Sequence, residues 1–409
     1  MQPILTIGII IFTGFIAGEF CTRIKLPKVT GYILAGLLLN PDLTHFIPNS
    51  FVSHTSLVTN IALSFITFSV GGTLLFPKVR SLGKPILWIT LFEAEFAFLF
   101  VAVAFIFLGP ALVHQSGASS VTFFVPLAFL LAALASPTDP SATLAVEHEY
   151  HAKGKVTSTI MGVAAFDDLF GIVNYSLAIS AASILVAHQP FGAGSIAMPL
   201  FKIFGSILGG VFFGFGFNGL SNMIKRETEG VLITLIFSLL GLCYGLANLT
   251  GADELLATMS MGIFVVNFNE KREKIFKILE RYTEELIFVL FFTISAMHLN
   301  FSVLSANYPL ILIFVIFRAI GKLTGTLTGG MIAKADSTVQ KYTAGGLIPQ
   351  GGIVIGLALM IKQYAAFSAI SDIILNVTIG ATIIHEIIGP VVSKFSLQKA
   401  GEIKIPSPK

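Results

Sequence analysis

Residues 136–168 read SPTDPSATLAVEHEYHAKGKVTSTIMGVAAFDD. The stretch begins inside one apolar run, 121–146, and ends inside another, 156–186. Pro137 and Pro140 flank Thr138 and Asp139, and Asp167 and Asp168 stand side by side in the second run. A charged side chain in the middle of a bilayer-length segment is expensive, so it marks a functional site until another explanation is found. Three carboxylates in two neighbouring runs make this stretch the centre from which the rest of the chain is read.

The surrounding composition fits a membrane setting. Of 409 residues, 55% are hydrophobic and only 11% are charged, where a soluble domain carries roughly 25%. Mean hydropathy is +0.87. A net charge of +3 is no signal for nucleic acid, and the two cysteines, Cys21 and Cys243, offer neither a disulfide framework nor a metal cluster. The opening MQPILTIGII lacks the basic start of a signal peptide and reads as a first span. No cofactor motif is present.

A spanning helix needs about 20 mostly apolar residues. Thirteen segments qualify or nearly so: 4–20, 29–39, 57–76, 85–108, 121–146, 156–186, 196–223, 231–249, 255–268, 286–299, 308–332, 342–361 and 366–392. Alternate connections hold the basic residues, from Arg23, Lys25 and Lys28 through Lys153 and Lys155 to Lys334 and Lys341. With the tail, 21 of the 25 lysines and arginines fall on one side. Positive charge stays cytoplasmic, which expects the N-terminus outside and the C-terminus inside. The expected organisation is one transmembrane transporter domain over 1–396 and a short cytoplasmic tail over 397–409. The basic connection 269–281 reads as an amphipathic link between two halves.

Pro137 and Pro140 each remove a backbone donor and clash with the preceding turn, so the span should unwind around Thr138 and Asp139. Irregular backbone at membrane depth is tolerated only where it faces a cavity, and hard oxygens there suit a small hard cation. A plain loop is the simpler alternative, but apolar sequence continues on both sides. A second interruption, GGLIPQGG over 345–352, carries Gly346, Pro349 and Gly351. Two interrupted spans in corresponding places point to an inverted-repeat transporter. Neighbours on a helix point about 100° apart, so one of Asp167 and Asp168 can face an ion path while the other faces a base. Arg318 and Lys322, one turn apart, are the buried bases available. Glu93 and Glu95 are weaker candidates for a proton path, His298, His385 and Glu386 read as structural, and Gly205, Gly209, Gly210 and Gly214 read as helix packing.

These segments resemble the monovalent cation:proton antiporter superfamily, in its second branch, which includes Na⁺/H⁺ exchangers with an Asp-Asp pair and Kef-type potassium systems. The resemblance runs through LPKVTGYILAGLLLNP at 26–41, KGKVTSTIMGVAAFDD at 153–168, FFTISAMHLN at 291–300 and IIHEIIGPVVSKFSLQKAGE at 383–402. It implies an all-α membrane protein of about 13 transmembrane helices, inverted repeats with two crossed broken helices, and a dimer scaffold beside an ion-transporting core. By the same resemblance Asp168 binds the cation or the proton, with Thr138 contributing to the Na⁺ site. Asp167 pairs with a late-span base, Arg318 being the closer match and Lys322 the alternative. Thr138 and Asp139 are polar groups of the first broken helix.

The expected activity is exchange of Na⁺ or Li⁺ for H⁺ in a homodimer of the cell (inner) membrane, serving pH homeostasis. K⁺/H⁺ exchange is the nearest alternative, although Kef-type systems usually carry Gln-Asp. An intramembrane aspartyl protease using Asp139 and Asp168 is a remote alternative, since its Gly-x-Gly-Asp motif is missing. A non-transporting sensor is another. The charge distribution makes the topology directly testable. Cysteines introduced at Ser120 and Ala193 should label from outside, and those at Ser81 and Ala335 only from inside. The reverse pattern would exclude the arrangement.

Overall fold

The apolar runs fold into helices that are inside out by the standard of a soluble protein. In helix α1, Pro3–Arg23, the buried residues are Thr6, Ile10, Gly14, Gly18 and Cys21, while Ile4, Phe12, Phe15, Ile16 and Phe20 face outward. Lipid tails are as apolar as leucine, so large side chains gain nothing by turning inward and small ones let helix backbones approach. A computed structural model describes residues 2–24, 27–113, 120–139, 143, 146–147, 150, 152–187, 193–224 and 228–403.

Among these residues eight helices are long and apolar enough to cross a membrane, and five shorter apolar helices accompany them. In chain order, α1 is followed by α2 (Lys28–Leu38), α3 (Ser56–Thr73), α4 (Gly83–Leu112) and α5 (Val125–Ala133). Next come α6 (Lys155–Val186), α7 (Ala193–Met223), α8 (Glu229–Thr250) and α9 (Glu254–Phe268). The last four are α10 (Glu285–Met297), α11 (Tyr308–Ile332), α12 (Gly352–Gln363) and α13 (Ser371–Lys399). The described chain is nearly all helix, as the apolar periodicity requires. α4 starts at Gly83, whose φ of 78° suits glycine and breaks the helix from the preceding turn.

The chain forms two compact units. The smaller comprises Ser53–Ser81 and Phe191–Phe291. Here α9 packs against α3 and α7 through glycine. A methyl at Gly262 would collide with the α3 backbone at Phe68, and one at Gly210 would lie 2.7 Å from Ser260 Cβ. The expected packing role of the α7 glycines holds for Gly210 and Gly214. At Gly205 and Gly209 a methyl would meet nothing within 4 Å, because both sit on the helix's other faces. In the basic connection a short helix, Arg272–Leu279, buries Ile275, Ile278 and Leu279 and leaves its charges outward, so that link is amphipathic.

The larger unit comprises Met1–Val52, Leu82–Pro190 and Phe292–Lys409, and it holds both interrupted spans. Helix α5 stops at Ala133, and residues 134–139 are non-helical. Pro140 lies outside the described residues. In the second span a short helix, Ser337–Tyr342, tightens into a 3-10 turn at Thr343–Leu347, and residues 348–351 are irregular before α12 begins. The two interruptions meet: Asp139 N donates to Pro349 O at 3.1 Å, and Gln350 Nε2 donates to Leu134 O at 2.6 Å.

Two further devices fix the helices around this crossing. Glu402, beyond the end of α13, closes the N-terminus of α6. Its carboxylate accepts from Val156 N at 2.7 Å and from Thr157 N at 2.8 Å, and its carbonyl accepts from Lys153 N. An acid at a helix N-terminus satisfies open N–H groups and the helix dipole together. The second device is a glycine stripe. Gly321, Gly325 and Gly329 of α11, four residues apart, lie against the α4 backbone at Ala97, Glu93 and Ile89. A methyl at Gly325 would sit 2.7 Å from Glu93 Cα, against backbone that cannot rotate away. Gly325→Ala should therefore cost about 1–3 kcal/mol of stability, the usual range for overpacking, and lower the melting temperature in detergent. Gly205→Ala should leave it unchanged. Equal melting temperatures for the two variants would show that the stripe does not set the α4–α11 distance.

Candidate functional site

Each charged group in the larger unit can be traced to the element that holds it. Helix α6 carries Asp167 and Asp168. Asp167 is fully buried, whereas Asp168 is partly open, with Oδ1 buried and without a hydrogen-bond partner. The helical offset between neighbours thus separates the two acids into different surroundings.

Asp167 faces Lys322, not Arg318. Lys322 Nζ donates to Asp167 Oδ2 at 3.1 Å, to Thr138 Oγ1 at 2.8 Å, to the Ser136 carbonyl at 2.7 Å, and to Glu93 Oε1. An ammonium has three protons, so these four acceptors share them. Lys322, Glu93 and Asp167 are each fully buried. The lysine therefore balances two carboxylates from two different helices. The glycine stripe explains why it can: the close approach at Gly321 and Gly325 brings the Lys322 face of α11 beside Glu93 of α4. Lys322 is completely buried, so it serves the interior and does not reach for the membrane interface.

The expected pairing of Arg318 with Asp167 gives way to a different role. Arg318 donates to four backbone carbonyls: Nε to Ala135 at 2.9 Å, Nη2 to Pro137 at 2.8 Å and Pro349 at 3.5 Å, and Nη1 to Ile348 at 2.6 Å. All four belong to the interrupted spans. Breaking a helix strands carbonyls that would otherwise accept intrahelical bonds, and the planar fork of a guanidinium supplies several fixed donors at once. At the opposite pole, Asp139 lies beside Gly351, the residue that precedes the first turn of α12. Its negative charge complements the positive end of that helix.

Thr138 stands between these groups. Its hydroxyl accepts from Lys322 and donates to Asp167 Oδ2. A hydroxyl has one donor and two acceptor positions, which leaves one lone pair for a cation. Pro137 and Pro349 contribute carbonyls to Arg318, and Gly346 offers its carbonyl to Thr143 Oγ1 at 2.9 Å. A methyl at Gly346 would meet Ile160 of α6, and one at Gly351 would meet Asp139 and Glu386, so both glycines are places of close approach. Pro140 is outside the described residues, and no geometry attaches to it.

Several participants carried little signal in the sequence. Glu93 stood out only as one of two membrane glutamates, and its companion Glu95 accepts from Asn174 Nδ2 at 3.3 Å, away from Lys322. Gln350 bridges the interruptions and also meets His385 Nδ1 at 3.0 Å. Glu386 is completely buried and accepts from Thr30 Oγ1 at 3.4 Å. The apolar character of 366–392 masks both residues of the His-Glu pair, and only their charge distinguishes them.

Residues 8–399 match the model of the family described as sodium/hydrogen exchanger, transmembrane. The chain is 22% identical over 374 residues to the ammonium/H⁺ antiporter subunit AmhT of Alkalihalophilus pseudofirmus, covering 90% of each protein. It is 26% identical over 278 residues to the Na⁺/H⁺ antiporter ApNhaP of Aphanothece halophytica, a match over 64% of this chain and half of that protein's length. Its fold is that of the sodium proton antiporter MjNhaP1 from Methanocaldococcus jannaschii, with a TM-score of 0.78 at 17% identity, covering 97% of this chain and 98% of that one.

Buried ion pairs are most costly when one partner is removed, because the other charge is stranded; the loss is about 3–5 kcal/mol. Lys322→Met should destabilise the protein by that order, and adding Asp167→Asn should recover part of it. Arg318→Met combined with Asp167→Asn should show losses close to additive. Melting temperatures of the single and double variants decide between the two bases. Recovery in the Arg318 pair and additivity in the Lys322 pair would reverse the assignment.

Proposed function

The chain belongs to the sodium/hydrogen exchanger family, and on that premise we propose that it exchanges a monovalent cation for protons at Asp168. It is an integral multi-pass membrane protein and a transporter, which sets aside the protease reading of Asp139 and Asp168. One observation carries the proposal: Asp168 is the partly open member of the pair, with a buried oxygen lacking a partner, while Asp167 is engaged by Lys322. A carboxylate that forms no ion pair among the described residues can take either a proton or a cation. It cannot take both at once, and that exclusion is what antiport requires.

In this reading Thr138 contributes its remaining lone pair to a sodium ion at Asp168, and the interrupted backbone lines the path. Lys322 holds Asp167 in place and adds a second way to carry a proton. An ammonium can surrender its proton where a guanidinium does not, so the presence of lysine at this position favours voltage-sensitive exchange. Arg318 and Asp139 keep the stranded helix ends neutralised while the core moves. Na⁺ and Li⁺ are the leading substrates because the site offers hard oxygens. A second reading, a larger cation such as ammonium or K⁺, is favoured by the likeness to the ammonium/H⁺ antiporter subunit over nine-tenths of the chain. We place the N-terminus outside and the C-terminus in the cytoplasm, in a homodimer of the cell (inner) membrane.

Competition implies linkage: cation binding must release protons, and acid must weaken cation binding to the same extent. In sealed vesicles with an internal pH dye, the wild-type protein should move protons on addition of Na⁺ or Li⁺. Asp168→Asn should abolish that flux with the melting temperature retained. Flux with ammonium or K⁺ alone would select the second reading. Undiminished flux in Asp168→Asn would remove the site.

A further inference from the structure

Helix α6 meets the first interruption residue by residue. Asp167, Gly171 and Asn174 stand four and three positions apart, so they share one face of the helix. Asp167 accepts from the Thr138 hydroxyl, a methyl at Gly171 would run into the Pro137 ring, and Asn174 Nδ2 donates to Ser136 Oγ at 3.2 Å. The two segments therefore run antiparallel, with residues 138, 137 and 136 opposing successive positions along α6. The exchange site uses the Asp167 end of this face. It gives no role to Asn174, which is buried about two turns further on.

The hydrogen bonds around Asn174 have one consistent direction. Ser136 Oγ donates its single proton to the Ala94 carbonyl of α4 at 3.2 Å, so toward Asn174 it can only accept. The half-buried Glu95, next along α4, accepts at Oε1 from the same amide nitrogen, 3.3 Å away. An ionised carboxylate also only accepts. Asn174 must present its nitrogen to both neighbours, and a carboxamide has two protons to give. Ser136 is fully buried and lies beyond the last turn of α5, where the regular helix bonds have ended. Its hydroxyl is tied instead to α4 and to α6. Its carbonyl accepts from Lys322 Nζ at 2.7 Å, and the Thr138 hydroxyl, two residues on, meets the same ammonium at 2.8 Å.

We propose that Asn174 is a positioning residue for the exchange site: anchored by Glu95, it fixes Ser136 so that the Ser136 carbonyl and the Thr138 hydroxyl reach Lys322 together. The inference rests on the exchange reading, since it is through Thr138 that Asn174 acts on the cation. Loss of the carboxamide frees the start of the interruption to rotate. Thr138 then meets Lys322 and Asp167 in several orientations, and its remaining lone pair is no longer aimed at one place. The effect falls on cation affinity more than on turnover, because Asp168 and the Lys322 cluster keep their own side chains.

Deuterium uptake followed by mass spectrometry tests this without relying on transport. In purified Asn174→Ala the peptide covering 134–139 should take up deuterium faster than in the wild type, while peptides of α8 in the smaller unit should not. In sealed vesicles the Na⁺ concentration at half-maximal exchange (or the ammonium concentration, where Na⁺ drives no flux) should rise roughly two- to tenfold, the range for one lost hydrogen bond. The maximal rate should change less. Glu95→Ala should show the same shift, and Glu95→Gln, which keeps an acceptor for the amide, should recover most of it. If Asn174→Ala does not fold, Ser136→Ala removes the other end of the bond and should give the same faster uptake and the same shift. Asn174→Ala combined with Ser136→Ala should shift half-saturation by less than the product of the single effects, because the shared bond is lost only once. Unchanged uptake over 134–139, an unchanged half-saturating concentration in vesicles that do exchange, or a double variant showing the full product overturns the proposal. Faster uptake in Asn174→Ala beside wild-type vesicles that move no protons would refute the exchange reading alone.

Discussion

A single ammonium group holds the centre of the larger unit together. Lys322 is fully buried and touches a carboxylate from α4, a carboxylate from α6, and both a carbonyl and a hydroxyl from the first interruption. Each of those groups would be costly to bury alone. Gathered around one cation they become tolerable, and four segments distant in sequence acquire a shared position. The arrangement works only if α11 and α4 come close. The glycines at 321, 325 and 329 allow that approach, since any side chain there would strike backbone.

The interruptions need the opposite treatment. An unwound segment in a membrane exposes carbonyls that water cannot reach, and unsatisfied groups of this kind are what confines irregular backbone to protein interiors. Arg318 answers that demand at the carbonyl end and Asp139 at the amide end. Adjacent bases on one helix therefore do different work. Lys322 neutralises side chains and Arg318 replaces missing backbone donors. Exchanging the two residues would spoil both functions, because a point charge lacks the fixed fork of donors that meets these four carbonyls.

Much of this was legible in the residues. The apolar runs locate the helices, Pro137 with Pro349 marks where they break, and the adjacent acids mark where charge is buried. The choice between Arg318 and Lys322 was not legible. The two share a helix face and differ by about 6 Å along the axis, four residues at about 1.5 Å each, and which level meets Asp167 depends on how far α11 slides against its neighbours. Glycine contacts fix that offset, and they belong to two helices at once. The close approach at Gly351 was hidden for the same reason, since Asp139 and Glu386, 247 residues apart in the numbering, both come up against the space where its side chain would be.

The closure of α6 by Glu402 bears on how the protein is made. The N–H groups of Val156 and Thr157 find their acceptor 246 and 245 residues downstream. A ribosome feeding the chain into a membrane delivers α6, with its two acids, long before it delivers that acceptor. For most of synthesis the helix start must rely on water or on transient partners. The helix that carries Asp167 and Asp168 is thus finished late, by a residue that emerges after the thirteen apolar helices among the described residues.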